Sequence, residues 1–110
     1  MATGSYEVEL TQGAEADLEA LHDYVTEHRS PEQADQLLDV LLKRIANLER
    51  YPERGAIPKE LAALGTAEFR QMLVAPYRLI YRIVNRKVFI SVVADGRRDM
   101  QTLLQQRLLG

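Results

Sequence analysis

Arginines set into a run of β-branched and aromatic residues are the groups in this chain best suited to chemistry. From Tyr77 to Asp99 the sequence reads YRLIYRIVNRKVFISVVADGRRD, with Arg78 and Arg82 on alternate positions and Arg97 and Arg98 at the exit. Guanidinium groups grip phosphate through planar, paired N–H donors and stabilise negative charge in a transition state. They are poor proton shuttles, because their pKa stays above ~12. The chemistry expected is therefore phosphate clamping or charge stabilisation. Arg70, Arg78 and Arg98 are the candidates for it, and Arg82, Arg97 and Asp95 complete the expected functional surface. Asp95 is placed to offer Arg78 an ion pair.

A β-hairpin must position these residues. Val84-Asn85-Arg86-Lys87 is a turn between two apolar runs, and a two-residue loop at Asn85 and Arg86 pairs Tyr81 with Ile90 and Leu79 with Val92. Alternation then puts Tyr77, Leu79, Tyr81 and Ile83 with Val88, Ile90, Val92 and Ala94 on a buried face. Arg78, Ile80 and Arg82 face the other way, opposite Val93, Ser91 and Phe89, with Asp95 in diagonal reach of Arg78. On this reading Arg78 and Arg98 converge on an open sheet face, and Arg70 is a third cation that can join them.

The other chemical candidates are few. The chain has no cysteine and two histidines. That excludes thiolate catalysis, disulfides and cysteine-based zinc sites, and His22 and His28 have no metal-ligand spacing. No metal or cofactor is expected. Neither histidine has an oriented partner of the kind that proton transfer requires, and Tyr24 and Tyr51 read as packing residues at helix edges.

The elements before the hairpin are legible from periodicity and caps. Ser5 to Leu10 alternates as a half-buried strand, and Thr11 caps a helix whose stripe is Ala14, Leu18, Leu21 and Val25. Ser30-Pro31-Glu32-Gln33 joins an N-cap serine to a first-turn proline and an N3 glutamine, so a new helix starts there. Its apolar positions Ala34, Leu37, Leu38, Leu41, Ile45 and Leu48 run toward Tyr51, where Pro52 ends it. A short helical stretch at 59–64, a strand from Glu68 to Val74 and a C-terminal helix from Met100 capped by Asp99 complete the order β-α-α-β-β-β-α. An α+β domain follows, an antiparallel sheet packed on a long helical hairpin.

With 110 residues and 46% hydrophobic content the chain fits one domain spanning 1–110. No run approaches the ~18 apolar residues of a membrane span, and residues 1–4 lack the basic and apolar regions of a secretory signal, so a cytoplasmic protein without membrane attachment is expected. The charges segregate. Residues 1–49 carry eleven acids against three bases, net −8, and residues 50–110 carry five against eleven, net +6. A uniformly basic surface is disfavoured, and a local basic face in the C-terminal half remains.

Five segments together resemble the ParE/RelE superfamily, the toxin halves of bacterial type II toxin-antitoxin pairs, also labelled plasmid-stabilisation proteins. They are Ala16-Asp17-Leu18 leading to Asp23-Tyr24-Val25, Ser30-Pro31-Glu32-Gln33-Ala34, Tyr51-Pro52-Glu53-Arg54-Gly55, Tyr77 through Arg82, and Gly96-Arg97-Arg98-Asp99. The resemblance implies the RelE/ParE toxin fold, growth arrest, and a cognate antitoxin that wraps the toxin in a hetero-oligomer. Within the superfamily, the RelE-like branch cleaves mRNA on the ribosome without a metal, and its strand and exit arginines match Arg78 and Arg98. The tyrosine of its C-terminal helix falls at Leu104, its lysine-rich strand keeps only Arg70, and Asp95 stands where histidine is common. The ParE-like branch poisons DNA gyrase, is not known to need a catalytic set, and shares the long paired helices. That branch is favoured here, the alternatives being a ribosome-dependent mRNA endoribonuclease or an inactive or retargeted member.

Overall fold

The computed structural model describes residues 5–109. Strand β1 (Glu7–Leu10) leads into helices α1 (Gln12–His28) and α2 (Pro31–Ala46), and two 3-10 turns (Asn47–Glu49 and Pro52–Arg54) follow. After a short helix α3 (Lys59–Ala62) come strands β2 (Phe69–Val74), β3 (Tyr77–Val84) and β4 (Lys87–Asp95), then helix α4 (Met100–Leu104), which widens into a π-helical turn at Gln105–Leu109. The caps form where the side chains predict them. The Thr11 hydroxyl accepts from the Ala14 amide, Ser30 from Gln33 with Pro31 in the first turn, and Asp99 from Thr102. Helix α2 stops five residues short of Tyr51, because its last turn tightens before Pro52.

The sheet order is β1-β4-β3-β2. It is antiparallel through β2, β3 and β4, and β1 joins β4 in parallel, with Val8 beside Val88 and Leu10 beside Ile90. That register turns Val8 and Leu10 toward the helical hairpin. Leu18, Leu41, Ile45 and Leu48 of the helices bury against Leu79, Tyr81, Val88, Ile90 and Val93 of the sheet. The two large apolar faces have no other partner of similar size, so they cover each other.

The hairpin turn forms as expected, with Val84 opposite Lys87 and Asn85 at a left-handed φ of 58°, which asparagine tolerates better than most residues. Tyr81 pairs with Ile90, and there the expected register ends. A bulge at Ser91 puts Ile80 opposite Val92 and Leu79 opposite Val93. One extra residue inverts every later side chain. Val93, not Val92, joins the hairpin core, and Val92 and Ala94 cross to the second face with Ile80.

That second face is covered, against the expectation of an open one. Leu61 of α3 and Met100 and Leu104 of α4 pack there on Phe69, Ile80, Val92 and Ala94. The molecule is thus a sheet between a long helical hairpin on one side and two short helices on the other.

Candidate functional site

Arg78 lies on the second face, opposite Ala94, and its stem runs beneath Gly96, whose missing side chain would sit 2.9 Å from Arg78 Cδ. Each of its three guanidinium nitrogens donates a hydrogen bond. Nε donates to Gln71 Oε1 at 2.8 Å, and Nη1 and Nη2 donate to the two carboxylate oxygens of Glu60 at 2.9 and 2.8 Å. Both side chains are nearly buried, 12% and 11% exposed. The Arg78 hydrogen bonds hold the Glu60 carboxyl down at about 2, against the opposing effect of its burial. Helix α3 therefore brings a fixed counter-charge onto the strand arginine.

The partner of Arg78 is Glu60 and not Asp95. The bulge explains the exchange, because it sets Asp95 opposite Tyr77 and carries it to the other side of the strand from Arg78. Asp95 binds Arg97 instead. It accepts from the Arg97 amide at 2.9 Å, from Nε at 2.9 Å and from Nη2 at 2.5 Å. These bonds, led by the Arg97 side chain, lower the Asp95 carboxyl to about 2, and the charge of the exposed Arg98 adds to the effect. Arg82, half exposed, faces Glu68 at 3.7 Å.

Arg70 stands opposite Tyr81 and so belongs to the hairpin face, across the sheet from Arg78. It does not join Arg78. Its Nη1 donates to the carbonyls of Glu53 and Gly55 at 3.2 and 3.0 Å, and the buried Tyr81 hydroxyl donates to Pro52 O at 2.6 Å and accepts from the Gly55 amide at 3.1 Å. Burial raises the Tyr81 phenol above its ordinary value. Any side chain at Gly55 would meet the Tyr81 hydroxyl and, at 2.6 Å, the Gln71 carbonyl. The Tyr51 to Gly55 loop is thus pinned from below by two side chains, while Tyr51 and Arg54 stand exposed above it. Strand alternation places Tyr81 in the core and Arg70 on the sheet but does not reveal this link. A loop of type Y-P-E-R-G with two polar-tipped residues on nearby strands was the available signal.

Among the described residues neither histidine bonds to these arginines, and the carboxylate on Arg78, that of Glu60, is held ionised. Leu104 is fully buried under the second face. His22 Nε2 meets Asp35 at 2.8 Å, and His28 Nδ1 meets the Tyr24 carbonyl at 2.9 Å, both on the helical hairpin. Among the described residues no cluster of His, Cys, Asp or Glu is placed to hold a metal, and no helix is long and apolar enough to cross a membrane.

Solved toxins share this architecture. The chain is similar to a chromosomal ParDE toxin-antitoxin protein of P. aeruginosa, with a TM-score of 0.71, 21% identity, and coverage of 84% of this chain and 98% of that one. It is similar as well to the RelBE2 toxin-antitoxin complex of Mycobacterium tuberculosis, with a TM-score of 0.61, 24% identity, and coverage of 83% and 98%. These likenesses define the fold class, that of the ParE/RelE toxins. The family model for the ParE toxin of the type II toxin-antitoxin system parDE matches residues 8–100, and the chain belongs to that family. No curated protein sequence matches the chain.

Proposed function

We propose that this toxin arrests growth by poisoning DNA gyrase and that a cognate antitoxin neutralises it in a hetero-oligomeric complex. The observation that carries the choice of target is the state of Arg78. A ribonuclease of the RelE-like kind needs its strand arginine free for the scissile phosphate, and here Glu60 occupies both of its terminal nitrogens. Cleavage also needs a group to take the 2′-hydroxyl proton and an acid for the leaving oxygen. Leu104 supplies neither, and Arg70 lies on the opposite face. A gyrase-directed toxin requires no such set, and the ParE family match over residues 8–100 favours that branch. The antitoxin partner rests on the type II family and on the two neighbours, both from toxin-antitoxin systems.

The test is parallel. Purified toxin is assayed for inhibition of gyrase supercoiling with accumulation of cleaved DNA, and for cuts in mRNA during translation. Gyrase inhibition with intact mRNA is expected, and Arg78→Ala with Arg98→Ala should leave it in place except where those residues touch gyrase. Codon-positioned mRNA cuts that vanish in Arg78→Ala would establish the endoribonuclease reading instead.

A further inference from the structure

A second set of cations gathers around the loop that Tyr81 and Arg70 pin. Two concavities of about 490 and 420 Å³ share Tyr51 and Arg54 in their walls. Arg44 lines the first, and Arg50 and Arg86 line the second. Glu53 is the one carboxylate among the lining residues. None of these four arginines is in an ion pair among the described residues, whereas Arg78, Arg82, Lys87, Arg97 and Arg107 all are. Five cations of the sheet and C-terminal region are thus paired, whereas these four arginines share their hollows with the single carboxylate of Glu53.

Two of the four are already set for a ligand. The Arg54 guanidinium lies 4.2 Å from the centre of the Tyr51 ring, and that of Arg86 lies 4.5 Å from the Tyr6 ring, with Nη2 donating to Ser5 O at 3.0 Å. A guanidinium held against a ring keeps its N–H edges turned outward and has less rotamer freedom left to lose. Such edges suit planar or tetrahedral oxyanions bound through two N–H groups. Several cations spread along joined hollows, with tyrosine rings between them, fit repeated phosphates better than one isolated anion. The rigid anchoring of the loop means that little order remains to be imposed on binding.

We propose that the Tyr51–Arg54 loop, with Arg44, Arg50 and Arg86, is a docking site for the phosphodiester backbone of a nucleic acid. Its first hollow is lined by Met72 and Tyr81, across the sheet from Arg78, and its test involves neither gyrase, ribosome nor antitoxin, so it stands or falls apart from the proposed target. The full-length protein is titrated into labelled duplex DNA and into single-stranded RNA, read by fluorescence anisotropy between about 50 and 200 mM salt. Three or four neutralised phosphates give a log–log salt slope of about −3 on duplex DNA. Arg50→Ala with Arg54→Ala should lower affinity about tenfold or more and flatten that slope by about 2. Arg82→Ala, on the second face, should change neither, and Tyr51→Leu should weaken binding several-fold while keeping the slope. The two arms distinguish which nucleic acid supplies the phosphates. Absence of salt-dependent binding in both arms, an equal loss with Arg82→Ala, or equal displacement by a glutamate-rich peptide of matched charge would overturn the proposal.

Discussion

Arg78 shows how one side chain's fate turns on its neighbours. Alternation along the strand places it on the second face, but a residue on a four-residue helix eighteen positions earlier decides whether it is available. The pair with Glu60 is largely removed from water, so breaking it leaves an uncompensated charge. Arg78→Ala should cost about 3 kcal/mol in chemical denaturation. The pH dependence is the sharper check. The Glu60 carboxyl sits at about 2 in the fold against an ordinary 4.5. Its contribution is therefore complete above about pH 4.5 and is lost as pH falls from there through 2. Glu60→Gln should flatten the loss of stability between pH 5 and 2, leaving the part that Asp95 and Asp99, also lowered, supply. An unchanged pH profile in that variant would show that Glu60 is not ionised against Arg78.

At the scale of elements, what was legible in the sequence was what local chemistry determines. Thr11, Ser30, Pro31 and Asp99 mark helix starts by bonds that span three residues, and the Asn85 turn is a four-residue event. The bulge at Ser91 was not legible, because its determinants come from far along the chain. Asp17 Oδ2 accepts the Val93 amide at 2.9 Å, across 76 positions, and Arg107 Nη2 donates to the Ser91 carbonyl at 2.8 Å. Arg107 also clasps both Asp17 oxygens, at 2.9 and 3.0 Å. The two side chains thus satisfy the backbone groups around the irregularity and tie α1, β4 and the C-terminal helix together. The misplacement of Val92, Ala94 and Asp95 all descends from that one residue. Asp17→Ala should cost about 1 to 3 kcal/mol, the penalty of an amide left without its acceptor. Hydrogen exchange at the Val93 amide should quicken by more than at the Thr11 amide, which donates to the Ile90 carbonyl and does not depend on Asp17. Leu41→Ala, by contrast, acts through volume. A fully buried leucine between hairpin and sheet should cost about 2 to 5 kcal/mol in thermal or denaturant unfolding.

Over the whole molecule, coverage of both sheet faces decides what chemistry the chain can present. The α+β order and the packing of the long hairpin followed from periodicity, whereas the closure of the second face by α3 and α4 depended on short helices whose docking no local pattern specifies. That closure gives Leu104 its meaning. Leu104, the position that the resemblance matches to the tyrosine of RelE-like toxins, is fully buried in one cluster with Met100, Ile80 and Val92. Leu104→Tyr would therefore force a larger, polar-tipped ring into a filled layer, at a cost of about 1 to 3 kcal/mol. It should confer no cleavage of translated mRNA, since the hydroxyl would enter beneath the sheet while Glu60 still holds Arg78. Pairing it with Glu60→Gln releases the arginine without exposing the ring, and mRNA should again remain intact. Denaturant unfolding measures the first expectation, and a translation reaction probed for mRNA ends measures the second. Cleavage by the double variant would mean that α4 leaves the sheet during action, and would overturn the account in which the covered face excludes ribonuclease chemistry.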